Sequence, residues 1–99
     1  MGVLDDALKA IRRERPVAAE LGFELIGVVG SVARGEDGPQ SDLDVAYDVI
    51  EGGEGTLFGL GRIMFDLEQA MGRKIGVIDL SQVRNPYWLD QLERDLVRA

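Results

Sequence analysis

The stretch that most constrains this chain begins at Leu25-Ile26-Gly27-Val28-Val29 and passes through Gly30-Ser31-Val32-Ala33-Arg34-Gly35. After a loop containing Gly38 and Pro39 it resumes as Ser41-Asp42-Leu43-Asp44-Val45-Ala46-Tyr47-Asp48-Val49. The short apolar run rich in β-branched residues predicts a buried strand. Gly30-Ser31 closes that strand with a small-residue turn, which should open onto one or two helical turns. In the returning segment Leu43, Val45, Tyr47 and Val49 alternate with Asp42, Asp44, Ala46 and Asp48. Successive strand residues point to opposite faces, so Asp42, Asp44 and Asp48 share one face while the apolar set packs into a core.

Two carboxylates at i and i+2 repel each other unless a cation lies between them. Asp oxygens are hard ligands of the kind Mg²⁺ takes, usually one or two carboxylates together with substrate phosphates. The plainer alternative is an open sheet with a solvated acidic side, although Asp is a poor strand former. The Gly30-Ser31 turn favours the metal reading. Glycine lets backbone approach a ligand closely, and N–H groups at a helix start hold phosphate oxygens. Ser31 adds a hydroxyl donor and Arg34 a cation.

Gly30-Ser31, ten intervening residues, then Asp42-Leu43-Asp44 resembles the signature of the polymerase-beta-like nucleotidyltransferase superfamily. The fuller run, Gly-Ser-Val-Ala-Arg-Gly followed by Ser-Asp-Leu-Asp, is similar to its minimal nucleotidyltransferase branch, often the antitoxin partner of HEPN-domain toxins. The resemblance implies an α+β fold, a small mixed sheet with helices covering one face. It also implies a triphosphate held at Gly30 and Ser31, with Arg34 and Ser41 as further nucleotide contacts. Asp42 and Asp44 would hold Mg²⁺ or Mn²⁺, with ATP as substrate. A third carboxylate on a neighbouring strand completes the site in relatives.

Composition narrows the chemistry. Ninety-nine residues suit a single domain over 1–99. A net charge of −7 argues against a nucleic-acid surface, which needs a basic footprint. With no cysteine and no histidine, disulfides, thiol chemistry, His-based zinc sites and serine triads are excluded. No apolar run approaches a membrane span and no signal-peptide pattern opens the chain, so the expected location is the cytoplasm. Self-association is compatible with the sequence.

Outside the central stretch, Val3 to Leu21 predicts a helix with Leu4, Leu8, Ile11, Ala18 and Leu21 on one stripe, kinked or restarted at Pro16. Glu51 to Gly55 predicts a flexible connector. Thr56 is a plausible N-cap for a helix to Met71, and Lys74 to Leu80 predicts a third strand. Asn85-Pro86 signals a last helix to Asp95, with Leu89, Leu92 and Leu96 as its stripe. Tyr87 and Trp88 are expected to pack on the domain; exposed, they would mark a partner site.

The third carboxylate of relatives stands near the start of the third strand, after a turn resembling Gly72-Arg73-Lys74. Aligning that turn puts Gly76 at the position. Asp79 lies three residues on, and an odd offset turns a side chain to the other face unless a bulge intervenes. Asp79 is therefore either a catalytic carboxylate in a shifted register or a strand-end residue capping the next loop.

Three function classes follow. In the first, the protein moves AMP from ATP to a protein hydroxyl, by resemblance a tyrosine of a HEPN-type toxin. In the second, an impaired nucleotidyltransferase fold neutralises its partner by contact alone, as Gly76 suggests. The third, adenylylation of a small molecule such as an aminoglycoside, usually needs more chain for the acceptor pocket.

Overall fold

The structure, a computed structural model, describes residues 2–99. Helix α1 (Val3–Glu20) begins with Asp5 and Asp6 in its first turn, where the helix dipole favours acids. Its buried seam is Ala7, Ala10, Ile11, Glu14 and Ala18. The expected leucines Leu4, Leu8 and Leu21 flank that seam, half-buried, and the alanines let the helix lie close to its neighbours. The helix runs through Pro16 without a break. Proline's fixed φ is helical, and at an exposed position the missing N–H costs one bond. Gly22, with φ of +90°, makes the left-handed turn into the sheet.

Strand β1 (Phe23–Val29) pairs antiparallel with β2 (Leu43–Val49), and β2 pairs parallel with β3 (Ile75–Asp79). A short helix, α2 (Gly30–Arg34), and a loop join the first two strands. Helix α3 (Leu57–Met71) makes the crossover to β3, its Thr56 Oγ1 accepting the Gly59 N–H at 3.1 Å. After β3 come a 3-10 turn (Leu80–Gln82), helix α4 (Pro86–Asp95) and a two-residue strand, β4 (Val97–Arg98), antiparallel to β1. The sheet order is β3-β2-β1-β4. β4 was not legible in the sequence: it is short, and it forms because Gly27 admits it. A Cβ at Gly27 would overlap the Val97 carbonyl oxygen.

The pleat divides the sheet as the alternation predicts. Leu43, Val45 and Tyr47 join Leu25, Val28 and Ile75 beneath α1 and α3, with Ile11, Ile63 and Leu67 supplied by the helices. Tyr47 meets Phe23 edge-on, with ring centroids 5.6 Å apart. The register of β1 on β2 shifts between Leu25 and Gly27, a bulge at Ile26. On the other face Val29 and Ala46 pack with Leu92 of α4, flanked by Ile26, Ile78, Leu80, Val83 and Leu96. Two helices thus cover one face fully, while α4 shields part of the face that carries Asp44. The Glu51–Gly55 connector folds back: Gly53 N–H bonds the Ile50 carbonyl at 2.9 Å. Gly22 lies so close to Gly55 that a Cβ there would come within 2.8 Å of its nitrogen. Among the described residues no helix is long and apolar enough to cross a membrane.

Candidate nucleotide site

Strand β1 ends at Val29, and the chain turns at Gly30, whose φ of +78° is left-handed and suits glycine. The turn brings the chain against β2: a Cβ at Gly30 would stand 2.6 Å from Asp44 Oδ2. Across the sheet Asp44 pairs with Gly76 of β3, where a Cβ would stand 2.6 Å from Asp44 Oδ1. The carboxylate is therefore seated between two glycines, Gly30 in the turn after β1 and Gly76 on β3, one at each oxygen. Burial raises its pKa first, repulsion from Asp42 adds to the rise, and Arg34 partly offsets both. Such a carboxylate gains most from a positive charge brought to it. Asp42, at the mouth of β2, is exposed.

The parallel register settles the geometry of Asp79. Gly76 lies opposite Asp44, and Asp79 lies opposite Tyr47, on the α1/α3 side. Its carboxylate accepts the Ser81 N–H at 3.0 Å and the Ser81 hydroxyl at 2.6 Å, capping the 3-10 turn. It also stands near enough to Tyr47 to help raise that phenol's pKa, after burial. The structure does not bring Asp79 to the Asp42–Asp44 pair. No bulge interrupts β3, so the odd offset holds. Among the described residues no cluster of three carboxylates could hold a metal.

Two predicted nucleotide contacts are engaged within the chain. Arg34 Nη1 donates to Asp95 Oδ2 at 2.7 Å and its Nε to Glu36 Oε1 at 2.9 Å, which ties α2 to α4. Ser41 Oγ accepts the Gly38 N–H at 2.8 Å, and the Ser41 carbonyl accepts from Arg73 at 3.2 Å. Ser41 thereby shapes the loop that delivers Asp42.

Two depressions flank the carboxylate pair. A groove of about 290 Å³ runs from Gly30 and Asp44 along α4 and includes Ile78, Trp88, Gln91 and Leu92. A basin of about 420 Å³ beside Asp42 is polar, with Ser41, Arg73 and Lys74 in its wall. Trp88 and Tyr87 do not pack into the domain. They are 54% and 89% exposed, and Trp88 forms the outer lip of the groove. Sequence reasoning missed this groove because a helical stripe such as Leu89, Leu92 and Leu96 does not say which sheet face it will meet.

An α+β sheet with a Gly-Ser turn opposite paired aspartates defines a nucleotidyltransferase-like protein. The nucleotidyltransferase domain family model matches residues 6–98, and the chain belongs to that family. It is 26% identical over 98 residues to a Methanocaldococcus jannaschii protein, covering 98% of both chains. A second protein of that organism is 29% identical over 87 residues, covering 87% of this chain and 89% of its own. Both carry the name "putative protein adenylyltransferase". A solved structure described as that of a "putative minimal nucleotidyltransferase" superposes with a TM-score of 0.67 at 30% identity. It covers 91% of this chain and 93% of its own.

Proposed function

We propose that this protein transfers AMP from ATP to a hydroxyl of another protein, with Mg²⁺ or Mn²⁺ held by Asp42 and Asp44. The observation that carries this reading is the seat of Asp44 between Gly30 and Gly76, where a side chain at either position would collide with a carboxylate oxygen, with Asp42 two residues away. Two carboxylates at that spacing fit one divalent cation that completes its shell with phosphate oxygens. The position for a third carboxylate is taken by a glycine whose Cβ space Asp44 occupies. When bound, the cation supplies charge stabilisation at the phosphates.

The chain's own residues do the rest. Gly30 leaves its backbone bare toward the phosphates, and Ser31 offers a hydroxyl. The acceptor oxygen forms its bond to the α-phosphorus while the bond to the β-phosphate oxygen breaks and pyrophosphate leaves. Asp42, the exposed member of the pair, is the carboxylate available to take the acceptor's proton. The family resemblance makes a HEPN-type toxin the partner, with its tyrosine as acceptor. The site uses no basic nucleic-acid surface.

Thermal unfolding with ATP and Mg²⁺ tests this. Ligand binding to the folded state alone stabilises it by about 2.7 kcal/mol at a hundredfold excess over Kd. Asp44→Asn should fold normally and lose the shift; a variant that binds Mg-ATP like wild type overturns the assignment. Gly76 favours a second reading, an impaired enzyme that acts on its partner by contact. A stable complex in which neither chain gains AMP during incubation with Mg-ATP would select it.

A further inference from the structure

The two depressions beside the carboxylates differ in chemistry, and the difference sorts the parts of a nucleotide. The basin at Asp42 is walled by Arg73 and Lys74 and suits anionic groups. The groove under α4 is floored by Ile78 and Leu92, lipped by Trp88, and opens at Gly30 and Asp44. At about 290 Å³ it takes a base and part of a sugar rather than a whole nucleoside triphosphate. We infer that this groove is the nucleobase site, that Trp88 stacks on the base, and that Gln91 selects a base carrying an amino group on its Watson–Crick edge. This rests on the nucleotide-site reading above.

The argument for Gln91 is one of orientation. Its Nε2 donates to Asp95 Oδ1 at 3.3 Å, and Asp95 Oδ2 is held by Arg34 at 2.7 Å. The Asp95 side chain is only 9% exposed, so it gives Gln91 a fixed reference. A carboxylate accepts and never donates when ionised, so the amide nitrogen must face it and Oε1 must face away. The free edge of the amide then presents an acceptor beside the remaining N–H. Adenine meets that edge with its exocyclic amine as donor and an adjacent ring nitrogen as acceptor, the same donor–acceptor pattern by which Gln pairs with N6 and N7 of adenine in DNA. Hypoxanthine puts a carbonyl where the amine was, facing Oε1, and the pairing is lost. A site built to bond a donor rejects the analogue that lacks it. Trp88 supplies a stacking surface that every base can use. Its backbone is held at the start of α4 by Asn85, whose Oδ1 accepts the main-chain N–H of Trp88 at 3.3 Å and of Tyr87 at 2.9 Å.

Trp88 is the sole tryptophan, so emission excited selectively at tryptophan, without Tyr47 and Tyr87, reports on the groove. The experiment titrates wild type and Gln91→Leu with ATP, inosine triphosphate and inorganic tripolyphosphate in Mg²⁺, following calorimetry and tryptophan emission together. Wild type should bind ATP about tenfold more tightly than inosine triphosphate. Both should quench Trp88, whereas tripolyphosphate should bind without changing its emission. Gln91→Leu should equalise the two nucleotides while keeping the quench. Trp88→Ala should weaken both nucleotides by a similar factor, roughly tenfold. ATP binding by calorimetry with unchanged emission places the base elsewhere and overturns this inference while leaving the nucleotide site standing. So does a Gln91→Leu variant that keeps the preference for ATP. Absence of any nucleotide binding overturns both.

Discussion

On the α1/α3 side of the sheet thirteen of the described residues are buried in one continuous core, with large fully buried side chains such as Ile11, Leu25, Leu43, Ile63 and Leu67. On the α4 side the buried cluster is Val29, Ala46 and Leu92, and the same face carries Asp44, Gly30 and Gly76. The first face is filled by side chains. The second is partly emptied by glycine and left to a single short helix. Burial of apolar area is the dominant stabilising term, so the fold rests mainly on one face, and the other is free to hold polar groups in a groove. A small domain has little apolar surface to spare, and this one concentrates it where no ligand is needed.

Mutations can separate the two faces. Ile63→Ala, fully buried under the sheet, should cost about 3 kcal/mol in urea unfolding. Measured at nucleotide concentrations that keep it folded, its ATP affinity should remain that of wild type. A loss of affinity equal to that of groove variants would mean the faces are not independent.

The next effect comes from Glu14, the acid buried in the seam of α1. Its Oε2 has no hydrogen-bond partner among the described residues. Burial first, then the neighbouring Asp66 carboxylate, raise its pKa from 4.5 to about 7, with Arg62 partly offsetting them. The folded state therefore holds a proton that the unfolded chain releases, and stability falls as pH rises from about 4.5 to 7. Above that window the loss is complete, roughly 3 kcal/mol. Glu14→Gln should flatten the profile and be more stable than wild type at about pH 8. An unchanged slope would assign the pH dependence to other groups.

Leu92→Ala should cost less, about 2 kcal/mol, the low end for a buried leucine, because its cluster is small and α4 can settle. It should nonetheless weaken ATP binding, the reverse of Ile63→Ala. The smallest effect on stability belongs to Asp95→Asn, which weakens an ion pair whose Arg34 member reaches solvent, while the isosteric amide keeps an oxygen for it. Its Tm should barely move, yet the amide of Gln91 loses its reference and the ATP preference over inosine triphosphate should shrink. Preserved discrimination in that variant would leave Gln91 oriented by something other than Asp95.

Much of the first face was legible in the sequence, and less of the second. The alternation of Leu43, Val45 and Tyr47 with Asp42 and Asp44 is a local signal, and the pleat obeys it. Thr56 and Asn85 cap their helices as their side chains predict, because capping too is local. The odd offset between Gly76 and Asp79 also follows from strand geometry, and it turns Asp79 away from Asp44. What escaped depends on partners distant in sequence. The two residues of β4 are strand only because Gly27 accepts them. Trp88 is exposed because α4 is anchored by Leu92 on one side and by the Arg34–Asp95 pair on the other. Glu14 sits in a helical stripe that otherwise reads as apolar.

The bulge at Ile26 gives the length of β1 a meaning apart from its composition. With one extra residue on that strand, Leu25 and Val28 both face the main core and Val29 faces Asp44. Remove a single residue there and every position upstream or downstream must change sides. Either Leu25 and Phe23 leave the core, or Gly30 meets α1 and α3 instead of the carboxylate. Insertions and deletions within Leu25–Gly27 should therefore be absent from functional relatives even where substitutions are common. A one-residue gap at that point in an alignment would mark a protein whose turn no longer addresses its aspartates.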